Sequence, residues 1–190
     1  KSVYSYEFTK VHGATGHLNA RYFTDAYRHA AIIKKANDQR DRRHAHEAYL
    51  KHFIDDLQQD IPLWAYVDLL TISDISFLYS ITEVDIQKSV ASDFGLRMSK
   101  GNCILGAFLH SMTIIRNLCA HGSRLFNRLF EQKPSLNKYE KTLLIQNDDG
   151  EIDNAHLYGF VLIMRRLLTK KEFETLKGEI VSLSNKYPFV

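Results

Sequence analysis

Along most of this chain apolar residues recur every three or four positions, the spacing that lines one face of an α-helix. The opening stretch to Gly16 is rich in Tyr and Phe, carries two glycines, and reads as irregular chain or a frayed helix end. From Leu18 onward Tyr22, Ala26, His29/Ala30 and Ile33 fall at helical spacing. A second, polar helix is predicted over 38–57, with Ala45, Ala48/Tyr49, His52/Phe53 and Asp56/Leu57 facing inward. Asp60-Ile61-Pro62 reads as a helix start, a capping acid before a proline whose missing N–H costs little there. The apolar run 63–72 should be buried on most sides, and a short helix should restart at Ser73 or Asp74 and run to Tyr79. Thr82 and Asp85 resemble a capping box for the next helix, which stops near Gly95.

The longest helix is expected over 99–121, with Ile104, Phe108, Met112, Ile115 and Cys119 on its apolar side. One or two further helical turns after Gly122 should carry Leu125, Phe126 and Leu129. Lys133-Pro134-Ser135 breaks the pattern, Leu143–Ile145 reads as a short strand, and Asn147-Asp148-Asp149-Gly150 as a tight turn. Asp153 or Asn154 should cap a helix to Leu168, and Thr169 a last one to about Leu183. Three prolines, nine glycines, no internal repeat and no linker make a single all-α domain, a helical bundle, the simplest account.

Composition narrows the classes. Over 190 residues, 45% hydrophobic and 25% charged is the make-up of a globular chain and argues against disorder. No apolar run approaches the roughly 18 residues needed to span a bilayer, so no membrane-embedded role is expected. Cys103 and Cys119 form no metal-binding or disulfide framework, which fits a reducing cytoplasm. The chain starts at Lys1 without a signal-peptide pattern. Net charge is only +3, too mild on its own to name a partner.

Split along the chain, that charge becomes informative. Residues 94–130 hold Arg97, Lys100, Arg116, Arg124 and Arg128 and no acid, a local +5, while the remainder has 20 basic against 22 acidic residues. At 100° per residue, His110, Asn117, His121, Arg124 and Arg128 fall along one line of a continuous helix, opposite the apolar stripe. A positive field around an imidazole suits a phosphate-bearing substrate. Histidine titrates near neutrality, so His121 can take a proton from a ribose 2′-hydroxyl or give one to a leaving 5′-oxygen. Arg116 can hold two phosphate oxygens, and Asn117 can donate to phosphate or orient the imidazole. His110, Arg124 and Arg128 would position RNA. With no carboxylate in the stretch to hold a cation, the expected chemistry needs no metal and no cofactor: internal 2′-hydroxyl attack leaving a cyclic phosphate. On a regular helix Arg116 and His121 project about 140° apart. Either the helix is distorted near Gly122 or two copies complete one cleft across a two-fold axis, the reading preferred here.

Arg116-Asn117-x-x-x-His121 resembles the R-N-x-x-x-H signature of HEPN ribonucleases. The wider string RNLCAHGSRLFNR, with PLWAYVDLL at 62–70, is similar to the abortive-infection (Abi-like, AbiD/AbiF type) family of bacterial phage-defence proteins. The similarity is expected from Tyr4 to the C-terminus, strongest over 61–128. It implies a HEPN-like helical fold, a homodimer, an RNA-cleaving site at Arg116 and His121 with Asn117 between them, and a toxin-like arrest of translation restrained by an RNA or protein antitoxin. Gly122 stands where the family often has a second histidine and Phe126 where it often has tryptophan. Family members also tend to carry an additional upstream helical segment, which this chain is expected to lack.

Other features read more plainly. His44, His46 and His52 have no i,i+4 pair and read as a surface helix rather than metal ligands. Arg40-Asp41-Arg42-Arg43 reads as a solvated, self-paired run, and Cys119 as packing on the apolar face. Two alternatives to catalysis stay open: a module that holds RNA without cutting it, and a motif that only seals a dimer.

Overall fold

Tyr4 and Phe8, one turn apart, place their rings 5.9 Å from each other and are both buried. This spacing makes the N-terminal stretch a regular helix, α1 (Ser2–His12), in the computed structural model, which describes residues 1–96, 104–146, 150 and 152–188. The expectation of irregular chain there overweighted the glycines. Gly13, at φ 77°, lies just past the last turn, where a left-handed residue ends a helix instead of disrupting it.

The chain forms two compact units, 1–106 and 107–190. It is all-α: among the described residues pairing of the β type is confined to two isolated antiparallel bridges, Phe23 with Thr82 and Gln146 with Ile152. No helix among them is long and apolar enough to cross a membrane.

In the first unit, two 3₁₀ turns (Gly16–Leu18 and Ala20–Tyr22) precede α2 (Ala26–Arg43). Asp25 caps α2 by accepting from the Arg28 N–H at 2.9 Å, so the helix begins later than Leu18. His29, Ile32 and Ala36 are its buried face, whereas Ala30 is exposed. The predicted helix 38–57 is two pieces: α2 continues to Arg43, the chain turns, and α3 (Ala48–Lys51) runs into a π turn (His52–Asp56). Leu50 is the residue it buries, while Ala45 and His52 are exposed.

α4 (Leu63–Tyr66) follows Pro62, with no side-chain cap from Asp60, which is exposed. Six residues of 63–70 are buried as expected, but Trp64 stands 60% exposed, edge-on to Phe53 at 5.7 Å. α5 (Ile72–Ser80) starts at a capping box of Thr71 and Asp74. Burial alone would raise the Asp74 carboxyl, but hydrogen bonds from Thr71 and Lys35 hold it below the usual carboxylate range. α6 (Val84–Asp93) begins at Glu83. The expected Thr82/Asp85 box does not form, because Thr82 is fully buried and its hydroxyl donates to the Leu78 carbonyl at 2.8 Å and meets Tyr4 Oη at 2.9 Å. Gln87 Nε2 then donates to the carbonyls of Tyr79, Ser80 and Thr82, satisfying the turn between α5 and α6.

Between these helices runs a layer of aromatic and imidazole rings. Phe8 stacks on Phe23 at 5.4 Å, Phe23 on His29 at 4.4 Å, and His17 leans on Tyr66 at 4.4 Å. His29 Nε2 donates to the His17 carbonyl at 2.7 Å. His17 itself is wholly buried, and neither ring nitrogen makes a well-formed hydrogen bond. Burial pushes its pKa down to about 4, partly opposed by the Ala14 carbonyl and reinforced by His29.

The second unit contains α7 (Ile104–Ala120), whose first three residues belong to the first unit, then α8 (Lys138–Thr142), α9 (Leu157–Leu167) and α10 (Lys170–Lys186). Its core is Ile115, Phe130 and Phe160, packed by Met112, Ile114, Leu118, Leu125, Leu157 and Met164. A Cβ on Gly159 would come within 2.8 Å of Pro134, so the glycine lets that loop press against α9. Leu143–Ile145 is turn and irregular chain rather than strand, leading only to the Gln146–Ile152 bridge. The predicted tight turn at 147–150 and the expected start of the long helix at 99–103 fall on residues outside those described, Gly150 excepted. Asp153 does not cap α9 directly; it accepts from the Ala155 N–H at 3.0 Å and pairs with His156, whose backbone leads into the helix. α10 begins at the predicted Thr169, in a capping box with Glu172.

A histidine whose folded pKa lies below its unfolded value near 6.5 binds its proton preferentially in the unfolded chain. Stability associated with His17 is therefore intact above pH 6.5 and is lost as the pH falls toward 4, by up to about 3 kcal/mol. Thermal melts followed by circular dichroism should show the midpoint falling faster across this window in the native chain than in His17→Phe; equal slopes would exclude His17 as the cause.

Candidate nucleic-acid site at the end of helix α7

α7 is anchored by its apolar side and charged at its end. Phe108 and Ile115 are buried, whereas Cys119, expected to continue that face, is an exposed free cysteine. At this end the core-facing side runs through Ile114, Ile115 and Leu118, so Cys119, one residue past Leu118, turns to solvent.

The helix then stops in a Schellman arrangement. The Ser123 N–H donates to the Leu118 carbonyl at 2.9 Å and the Gly122 N–H to the Cys119 carbonyl at 3.1 Å, with Gly122 at φ 61°. The His121 N–H still donates to the Asn117 carbonyl at 3.0 Å, so the backbone is helical through His121 and turns only afterwards. The expected helical turns after Gly122 are absent. The segment is irregular, Asn127 is left-handed at φ 47°, and Phe126 and Leu129 are 56% and 71% exposed. Leu125 and Phe130 alone tie it to the core.

This changes the predicted polar strip. His110, Asn117 and His121 keep their helical relation, but Arg124 and Arg128 lie on the loop beyond Gly122 and not on one line with them. The reason is the left-handed glycine, which redirects the chain where a uniform 100° step was assumed. Arg116 and His121 remain about 140° apart, as five residues of regular helix require.

Charge at this end is uncompensated. Arg116 is exposed and its Nη1 donates to Asn117 Oδ1 at 3.0 Å, a neutral amide in place of a carboxylate. His110, His121, Arg124 and Arg128 are exposed, and their side chains have no hydrogen-bond or ion-pair partner among the described residues. Of the arginines elsewhere, Arg28 pairs with Asp25 at 3.3 Å, Arg40 with Asp41 at 2.8 Å, Arg43 with Glu47 at 2.6 Å, and Arg166 with Glu140 at 3.7 Å while lying over the Phe108 ring, whereas Arg42 and Arg165 are exposed without an ion pair among the described residues. Arg97 and Lys100, the other two cations of the acid-free stretch, lie outside the described residues.

Two of the three histidines of the polar segment are also spoken for. His44 pairs with Asp55 at 3.0 Å and His52 with Asp56 at 3.3 Å, and His46 is exposed. Among the described residues no group of three or more His, Cys, Asp or Glu is placed to hold a metal ion. The buried His17 and His29 were read from sequence only as part of a helical stripe or not at all. Their one signal was proximity to a dense run of aromatic residues.

A profile of the Abi-like protein family matches residues 1–127. The chain belongs to the Abi-like family. The match takes in Arg116, Asn117, His121 and Arg124 and ends before Arg128, short of the C-terminal extent expected, so α8, α9 and α10 of this Abi-like protein lie beyond it. No curated protein and no solved structure matches the chain.

Open space surrounds the position where a Gly122 Cβ would sit, so a side chain there is opposed by backbone conformation alone. Gly122→Ala should cost about 1 kcal/mol through the positive φ. Chemical denaturation checks the figure; an unchanged midpoint would mean that the helix end is not held by this residue.

Proposed function

We propose that this Abi-like protein is a metal-independent endoribonuclease of bacterial phage defence, acting in the cytoplasm as a homodimer of HEPN-like helical domains. The observation that carries the reading is the uncompensated charge at the end of α7. Arg116 is bound only to a neutral amide, and His121, Arg124 and Arg128 project unpaired around it. The plain alternative is that these cations cap the helix, since positive charge is favourable at a C-terminus. Backbone N–H groups already occupy the Asn117, Leu118 and Cys119 carbonyls, which leaves the side chains available for another anion.

In this reading the substrate is single-stranded RNA. Arg116 holds the scissile phosphate and stabilises the extra negative charge of its five-coordinate transition state. Asn117 fixes the guanidinium through the contact it already makes. His121 takes the proton of a 2′-hydroxyl as O2′ bonds to phosphorus, and the P–O5′ bond breaks as the leaving oxygen takes a proton from water. Regular helix through His121 supports the two-fold reading: one chain alone points Arg116 and His121 apart, and a second copy brings the missing groups to one phosphate. The exposed Arg124 and Arg128, with His110, position the flanking backbone. An RNA or protein antitoxin covering this surface would restrain it.

The divergence of Arg116 and His121 on a single chain also favours a second reading, in which the strip holds RNA without cutting it. Gel shifts lost on Arg124→Ala but unchanged by His121→Ala, with no cleavage by the native chain, would support that reading.

Purified protein should cleave single-stranded RNA in EDTA and leave 2′,3′-cyclic phosphate ends. His121→Ala should lower the rate by a factor on the order of 10² or more, with its circular dichroism unchanged. Full activity in that variant would overturn the assignment.

A further inference from the structure

α10 is a 17-residue helix in which no residue is buried. Phe173 and Leu176, near its start, are partly covered, and every residue from Lys177 to Lys186 is exposed. Its exposed apolar side chains include Ile180, Leu183 and the C-capping Tyr187, the last two 58% and 53% accessible. An isolated helix of this length is marginal in water unless an apolar face is covered, and the capping box at Thr169 contributes only at one end.

The order of these side chains says what covers them. Phe173, Leu176, Ile180, Leu183 and Tyr187 are spaced three, four, three and four residues apart, the a and d positions of two heptads. Ile180 then sits at an a position, and Leu176 and Leu183 at d, the assignment that favours two parallel strands. The flanking charges agree. In a parallel pair, Glu172 at g faces Lys177 of the partner subunit at e, twice over; within one chain Glu172 also closes the Thr169 capping box and Lys177 lies 3.9 Å from Glu174. In the antiparallel register that sets Phe173 against Leu183, Lys177 would face its own copy across the axis, as would Glu179, and like charges would meet. Gly178 falls at f on the outer side, where a missing side chain removes nothing from the seam. Along one edge of the stripe, a groove of about 710 Å³ lined by Tyr158, Val161 and Leu162 of α9 and by Phe173, Ile180 and Val181 of α10 extends the apolar surface onto α9.

We infer that α10 is a pairing surface for a second copy of this chain, joined as a parallel two-stranded helix seam through Leu176, Ile180 and Leu183. Two heptads are short for free peptides, but α10 is held in place by its start on α9, which lowers the ordering cost of association. The seam lies outside the segment shared with the Abi-like family, and it forms whether or not the chain cuts RNA.

Sedimentation equilibrium of the full chain between about 1 and 100 µM tests it. The native chain should be dimeric, and I180E/L183E should raise the dissociation constant at least about tenfold. Both positions are exposed in the single chain, so the remaining fold should persist, checked by circular dichroism. Gly178→Ala, on the outer face, should leave the dimer as tight or tighter. Orientation is read separately: L183C in a C103S/C119S background should oxidise to a covalent dimer, because a parallel seam places the two Leu183 positions opposite each other. A native monomer at 100 µM, a dimer indifferent to I180E/L183E, or no cross-link from L183C would each overturn the seam. A dimer indifferent to I180E/L183E leaves the shared ribonuclease cleft standing. Conversely, a monomeric I180E/L183E protein that cleaves RNA at the native rate keeps the seam and overturns the shared cleft.

Discussion

The left-handed backbone at Gly122 decides where α7 ends, and the candidate site depends on that single turn. Were the chain to continue as helix, Arg124 and Arg128 would stand in line with Asn117 and His121 on one rigid face. Because it turns, the helical part of the motif ends at His121 and an irregular part begins at Ser123. The turn also frees side chains from capping duty: three carbonyls at the helix end receive backbone donors, and the cations keep their charge for solvent or a ligand. A positive cluster at a helix C-terminus would otherwise spend itself on the dipole.

The first unit is built on a different principle. Its rings pack in layers, and several of the polar groups that enter with them are given a partner: Tyr4 with Thr82, Glu7 with Ser89, Asp74 with Lys35 and Thr71. Beside the unpartnered Thr9 and Tyr49 hydroxyls, His17 stands out as an imidazole held neutral in apolar surroundings. The unit thereby tolerates buried polarity so long as it carries no net proton there.

Local signals were legible in the sequence, and contacts between distant positions were not. Thr169 and Glu172 are three residues apart and announce their helix without help from the rest of the fold. The helix expected from Ser73 or Asp74 to Tyr79 is found at 72–80, started by the Thr71 cap the pattern does not single out, and the burial of Phe108 and Ile115 follows from periodicity alone. Thr82 and Asp85 carry a similar local signal, yet the Thr82 hydroxyl is claimed by Tyr4, 78 positions away, and the box never forms. α1 was obscured by composition, since its aromatic residues and flanking glycines resemble loop until Tyr4 and Phe8 are seen against Phe23 and Tyr79. At the candidate site the residue types and the acid-free stretch were legible, whereas the division into helix and loop was not, because a helical wheel has no term for a left-handed residue. Cys119 differs for another reason: the core-facing side of α7 passes through Leu118, one residue off the predicted stripe.

Trp64 is the chain's single tryptophan, and its indole stands largely in water against the edge of Phe53. Its emission maximum in the folded protein therefore lies close to that of a solvated indole, and unfolding shifts the colour little. Proximity to Phe53 and to the groove beside α1, which Tyr6, Lys10 and Asp68 also line, makes its intensity the responsive quantity. As an intrinsic optical probe it reports what settles on the surface of the first unit better than it reports loss of the fold beneath.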